Sequence, residues 1–246
     1  MTNDKPLAID LYCGLGGWAE GLLSEGWRVV GFDIEAHDYG TGGYPGQLVI
    51  QDVTTLHGSQ FRAAALIVAS PPCQAYSYRA MPWSRAKALP PPDNTLFEAC
   101  FRIQREASEA AGHHIPLIVE NVRGAQKWVG RAKWNFGSYY LWGDVPALMP
   151  PITPRKVAGF RFDGVSHGSF QSAAVNGLKV PGNKLCDNGF TIPVARTIDK
   201  SLKPDTFALN AEDQRQHLSF SRKAASATIA KIPFPLAQHI AQVFNV

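Results

Sequence analysis

Leu66-Ile-Val-Ala-Ser-Pro-Pro-Cys-Gln-Ala-Tyr-Ser77 decides how this chain is read. Residues 63–69 form a short apolar run, of a length suited to a buried strand. The run stops at Pro71 and Pro72, because proline has no N–H to give to a sheet ladder. Cys73 follows at once, so a thiol stands just past the carboxyl end of a central strand. Open α/β sheets hold their ligands at that edge. Taken alone, the stretch reads equally well as a strand-ending turn with a buried structural cysteine. Two other stretches, at 10–17 and 120–122, weigh against that second reading.

Upstream, residues 6–11 read as a first strand running into Asp10-Leu-Tyr-Cys-Gly-Leu-Gly-Gly17, and residues 18–25 have helical spacing. Strand, glycine turn, helix is the layout of a nucleotide-type cofactor site. Gly14, Gly16 and Gly17 let the backbone approach a ligand, and the helix start offers free N–H groups. A plain tight turn is the alternative. Residues 28–33 read as a second strand ending in Asp33, placed to accept both ribose hydroxyls of a nucleoside. Residues 48–50 suggest a third strand before Asp52-Val53. There Asp52 is either an acceptor for an adenine amino group or a turn residue.

Downstream, residues 78–92 carry four prolines without periodicity and read as a long loop bearing Arg79, Arg85 and Lys87 beside the thiol. Asp93-Asn94 can cap a helix reaching about residue 109, with Leu96, Phe97, Cys100 and Ile103 on one face. Residues 115–119 give a fifth strand, followed by Glu120-Asn121-Val122, a second polar group at the same sheet edge. Residues 139–142 give another strand. Between 143 and 221 prolines, glycines and basic residues recur, which predicts a small loop-rich region. Residues 232–244 open with prolines and continue with Leu236, Ile240 and Val243 at helical spacing.

Composition narrows the class. A chain of 246 residues, 45% hydrophobic and 18% charged, suits one large domain with a small appendage. The formal charge of +4 permits a nucleic-acid partner without demanding one. The four cysteines, at 13, 73, 100 and 186, contain no C-x-x-C pair. No metal site is expected, and reduced thiols in a cytoplasm are the default. No run is long enough to span a bilayer, and the first residues lack a signal-peptide pattern.

Together these stretches resemble the DNA cytosine methyltransferases that act at carbon 5 with S-adenosylmethionine. Residues 10–17 resemble that family's cofactor loop, with Tyr12 where phenylalanine is usual. Phe32-Asp33-Ile34 resembles its ribose and adenine element, and Asp52-Val53 the next one. Ser70-Pro-Pro-Cys-Gln-Ala-Tyr-Ser77 resembles the nucleophile loop, and Glu120-Asn121-Val122 the cytosine-gripping motif. Two departures stand out. The family's Gln-x-Arg-x-Arg element is absent near 130–138, where Arg131 and Lys133 are the candidate cations. Ala230 stands where the closing motif has asparagine.

The resemblance implies a Rossmann-like α/β sheet. Residues 1–142, completed by 224–246, would form the catalytic and cofactor-binding domain, and 143–223 a target-recognition region. It implies S-adenosylmethionine as cofactor, held by Asp10, Tyr12, Gly14, Gly16, Gly17, Asp33, Ile34, Asp52, Val53 and Pro71. It implies a catalytic set of Cys73, Glu120 and Asn121 with Arg131 or Lys133. The expected partner is double-stranded DNA with a flipped-out cytosine. The expected protein is a cytoplasmic monomer of a short stand-alone bacterial or phage type. A tRNA cytosine methyltransferase, a non-catalytic DNA-binding relative and a small-molecule methyltransferase are the alternatives.

Overall fold

The computed structural model describes residues 5–39, 42–77, 90–149, 227–228 and 230–245. The expected basic segment 78–89 and residues 150–223 of the expected recognition region lie outside the described residues, as does Cys186.

The described strands form one sheet: β1 (Leu7–Leu11), β2 (Arg28–Asp33), β3 (Gln47–Ile50), β4 (Leu66–Ala69), β5 (Leu117–Asn121), β6 (Trp134–Phe136) and β7 (Tyr139–Gly143). Their order is β3-β2-β1-β4-β5-β7-β6, parallel from β3 to β5, with β7 antiparallel to β5 and β6 antiparallel to β7. This is a Rossmann-like α/β sheet. The chain runs outward from β1 to β3 and returns to β4 on the other side of β1. The loops after β1 and β4 therefore leave the sheet side by side at its topological switch point, where such folds bind ligands.

Helices cover both faces, as the strand alternation requires. Ile9, Leu11, Ile67, Ala69, Leu117 and Val119 face α2 (Thr95–Ala111) and its Phe97, Cys100 and Ile103. Ala8, Leu66, Val68 and Ile118 face α1 (Gly17–Ser24) and a helix from far along the chain, α4 (Phe234–Phe244). Between them in sequence, α3 (Gln126–Val129) is a single turn. The two helices on the second face touch closely. A β-carbon at Gly17 would fall 2.5 Å from the Ile232 nitrogen, and one at Gly21 would fall 2.4 Å from the Gln238 nitrogen. Trp27 adds an indole N–H donated to the Ala241 carbonyl at 3.2 Å, and Lys231 pairs with Glu20 at 2.5 Å.

Several boundaries differ from expectation. The strand of the organising stretch begins at Leu66, because residues 63–65 close a turn in which the Ala64 N–H reaches the Phe61 carbonyl. Of the expected cap Asp93-Asn94, Asn94 holds the cap position without a side-chain bond, and the Asp93 carboxylate accepts from the Thr95 backbone N–H at 2.8 Å. The expected face of α4 includes Val243, which is 40% exposed. The buried set is Leu236, Ala237, Ile240 and Ala241. Glu120 and Asn121 lie within β5 rather than beyond it, since they pair with Leu141 and Tyr140.

Candidate active site at the switch point

The loop after β1 is bent by left-handed backbone at Tyr12 (φ 56°), Gly14 (φ 49°) and Gly16 (φ 73°). Left-handed backbone is unusual for tyrosine. Its hydroxyl donates to the Leu96 carbonyl at 3.0 Å, which ties the loop to the start of α2. Asp33, at the tip of β2, is organised in advance. One carboxylate oxygen accepts from the Gly14 N–H at 2.9 Å, and the other from the Ile34 N–H at 2.8 Å, with His37 Nε2 at 3.3 Å. Ile34 stands beside it 67% exposed, an apolar plate at the sheet edge. Nothing lies within 4 Å of where a Gly14 β-carbon would stand, so the loop leaves open space there.

Asp10 is fully buried at the end of β1. One oxygen accepts from the Tyr44 hydroxyl at 3.1 Å, and the other, Oδ1, has no partner within the described residues. Burial pushes its carboxyl well above the usual range, the Tyr44 hydrogen bond opposes the rise, and Asp33 adds to it. An orphaned buried acceptor beside a second carboxylate favours a cationic or donor group. The donor set therefore fits a nucleoside that carries a positive charge: Asp33 for hydroxyls, Ile34 for a base face, Asp10 for the cation. The same fit holds less well at other expected positions. Asp52 is exposed and uses Oδ1 to accept from the Thr54 N–H and hydroxyl, both at 2.8 Å, which holds its carboxyl below the usual range. Val53 has no exposed surface and packs into the α2-side core. Gly17 is wedged against Ile232.

The loop after β4 brings the thiol to the same edge. The Cys73 carbonyl accepts from the backbone N–H groups of Tyr76 and Ser77, both at 2.9 Å, so the thiol sits on a tight turn, half-buried. Asn121 fixes the base of that turn: its Nδ2 donates to the Pro71 carbonyl at 2.9 Å, and its Oδ1 accepts from the Val122 N–H at 2.8 Å. At 1% exposure, Asn121 ties the end of β5 to the loop that carries Cys73. Pro71 is likewise buried, its carbonyl accepting from Asn121.

Glu120 is buried near the end of β5. Burial pushes its carboxyl up to about 8, opposed by the Ser70 hydroxyl, so it holds its proton at neutral pH. The Cys73 thiol is raised first by burial and then by the Glu120 carboxylate, which puts these two groups in one electrostatic neighbourhood. Tyr139, on β7, is raised by burial and then by Glu120 as well. Trp18 reaches across from α1 to donate its indole N–H to Ser70 Oγ at 2.9 Å. Ser70, Trp18, Tyr44 and Tyr139 were not among the expected site residues.

Arg131 and Lys133 are exposed and line a concavity of about 490 Å³ together with Arg123, Gln126, Asn135 and Tyr140. Tyr140 pairs with Asn121, so this basic hollow adjoins the end of β5. Arg123 is a third cation that the sequence reading passed over. Ala230 is exposed.

A family model described as C-5 cytosine-specific DNA methylase matches residues 7–133. Solved structures similar to the chain include a protein described as a prophage-encoded DNA modification methyltransferase (E. coli), at 22% identity and TM-score 0.36. That match covers 51% of this chain and 34% of the other. The S. pombe Dnmt2 methyltransferase matches at 19% identity and TM-score 0.35, covering 50% and 36%. The Entamoeba histolytica methyltransferase EhMeth matches at 14% and 0.37, covering 57% and 53%. The chain thus spans about a third to a half of these solved structures. No curated protein matches it. The family match takes in the glycine turn, Asp33, Cys73 and Glu120 in one unbroken span over half of the sequence, and the chain belongs to the C-5 cytosine-specific DNA methylases.

Proposed function

We propose that this protein transfers a methyl group from S-adenosylmethionine to carbon 5 of cytosine in duplex DNA, with Cys73 as nucleophile and Glu120 as acid. The observation that carries the reading is the pairing of a half-buried thiol with a carboxyl protonated at neutral pH, at the sheet edge that also bears Asp33 and the unpartnered Asp10 oxygen. S-adenosylmethionine supplies an electrophilic methyl group on a sulfonium when bound. Asp33, Ile34 and Asp10 are the residues that would hold it.

Cytosine carbon 5 is a poor nucleophile. Addition of the Cys73 sulfur to carbon 6, with loss of the thiol proton to solvent, gives carbon 5 enamine character. Charge then builds at ring nitrogen 3, and Glu120 shares its proton there; a group so placed contributes roughly 10²–10⁴-fold. Before the attack Glu120 is still protonated, so it does not oppose thiolate formation at Cys73. After transfer the carbon 5 proton leaves and the sulfur is expelled. The target carbon is buried in a duplex, so the base must be flipped out at a cost of a few kcal/mol, as for other enzymes that act on bases.

In this reading residues 1–142 with 224–246 carry the chemistry, and the basic residues of 143–223 choose the target. The basic loop 78–92 holds backbone phosphates. The enzyme works in the cytoplasm as a monomer. Two measurements test the reading. Transfer of labelled methyl to duplex DNA is compared with transfer to tRNA, and bisulfite sequencing is run on DNA from cells expressing the protein. Methylated cytosines in DNA that vanish with Cys73→Ser are expected. Labelling of tRNA alone would reassign the substrate, and labelling of neither would end the proposal.

A further inference from the structure

An acid that must deliver a proton to one ring atom has two oxygens, and only one of them can carry the hydrogen usefully. Across the β4–β5 pair, Ala69 is in register with Val119, so the next residues, Ser70 and Glu120, lie alongside one another. Alternation puts them with Val68 and Ile118 on the sheet face that α1 covers. There Trp18, 2% exposed, donates to Ser70 Oγ at 2.9 Å. An indole N–H can only donate, so Ser70 is the acceptor in that contact and keeps its single hydrogen for another partner. The group beside it is the Glu120 carboxyl.

We propose that Ser70, with its hydroxyl aimed by Trp18, is a positioning residue that donates to one oxygen of Glu120 and so leaves the acid's proton on the other. This rests on the reading of Glu120 as the proton donor to cytosine. A neutral carboxyl has one carbonyl oxygen and one hydroxyl oxygen, and a donor at one of them selects it as the carbonyl. Ser70 therefore removes the unproductive tautomer before the base arrives. Trp18 is the second residue of α1, directly after the glycine turn. The wall of the cofactor loop thus also orients the acid. Among the described residues, the other titratable groups facing Glu120 are Cys73, from the loop after β4, and Tyr139, from β7, whose hydroxyl donates to the Lys231 carbonyl at 3.1 Å.

The test is an NMR titration of the full chain labelled at tryptophan indole nitrogen, with the Trp18 resonance assigned by Trp18→Phe. The Trp18 indole signal should shift with a midpoint near pH 8 as Glu120 ionises. It should stay flat in Glu120→Gln and in Ser70→Ala, and titrate again in Ser70→Thr, which restores the hydroxyl. In kinetics, Ser70→Ala should lower kcat by roughly 10- to 100-fold, within what a positioned acid supplies. The break near pH 8 in its kcat/KM profile should move upward, because a carboxylate that loses a donor is harder to form. Ser70→Thr should recover most of the rate. A Trp18 signal that ignores pH in the wild type would overturn the proposal, as would equal impairment of the alanine and threonine variants with the break unmoved. If Trp18 titrates as expected but the wild type methylates no cytosine, the contact stands and the functional reading falls.

Discussion

Replacing Glu120 by glutamine should stabilise the protein progressively as pH rises. In an unfolded chain the carboxyl ionises at its ordinary value of about 4.5, whereas burial in the fold holds it protonated up to about 8. Between those pH values the unfolded state releases a proton that the folded state keeps. The contribution of Glu120 is thus fully present below pH 4.5 and is lost as pH rises through 8. At about 1.4 kcal/mol for each tenfold change in proton affinity, the loss approaches about 5 kcal/mol, a large part of a typical domain's stability. Glutamine cannot ionise, so the variant lacks this slope and differs from the wild type by a small constant at acid pH. Burial shifts Cys73 and Tyr139 in both proteins and cancels in the comparison, whereas their coupling to the Glu120 carboxylate is lost with it and belongs to the measured difference. Urea unfolding followed by tryptophan fluorescence from pH 4.5 to 9 measures the difference directly. A gap between the two proteins that stays flat within about 1 kcal/mol over that range would refute the burial argument and, with it, the acid's neutrality at pH 7. The same variant should lose roughly 10²–10⁴-fold in kcat.

Other substitutions probe the rest of the site. Asn121→Ala strands the Pro71 carbonyl and the Val122 N–H, and should cost about 2–4 kcal/mol in denaturant unfolding, with m unchanged. A loss below about 0.5 kcal/mol would mean that the clamp on the thiol loop is idle. Asp33→Ala should weaken S-adenosylmethionine binding by roughly 1–3 kcal/mol in calorimetry, and unchanged affinity would remove Asp33 from the pocket. DNA carrying 5-fluorocytosine at the target should trap the enzyme only when the methyl donor is present, because fluorine replaces the proton that must leave. Peptide mapping should place the adduct at Cys73; an adduct at Cys13 or Cys100 would sink the mechanism.

The sequence announces those parts of this fold whose signals are local. The second strand, Arg28–Asp33, appears where its β-branched pair and terminal aspartate put it. Residues 63–65 do not join their strand because alanine has little β-preference and the chain is still turning after Phe61. Trp134–Phe136 is too short for alternation to show, and it exists only through its pairing with β7. The site divides in the same way. Cys73 and Glu120 are visible as reactive groups at strand ends. The work of Asn121 is not visible, because its partner, Pro71, is 50 residues upstream and the contact depends on β4 and β5 lying side by side. The burial of Val53 is not visible either, because it comes from packing against α2 and the sheet rather than from its neighbours in sequence. Ser70 looks like an ordinary residue before two prolines until α1 brings Trp18 to it.

The packing of α4 on α1 has a consequence for synthesis. Trp18, Leu22 and Trp27 are buried against residues that the ribosome makes some two hundred positions later, around Ile232 to Ala241. At roughly 5–20 residues per second, the nascent chain carries that apolar surface uncovered for about 10–40 s. During this interval the glycine turn has no wall behind Gly17, and the chain is a client for holding chaperones. A message cut short before codon 232 yields a product that can pair β1 with β2 and β4 yet exposes a sticky face, one that cellular quality control should remove.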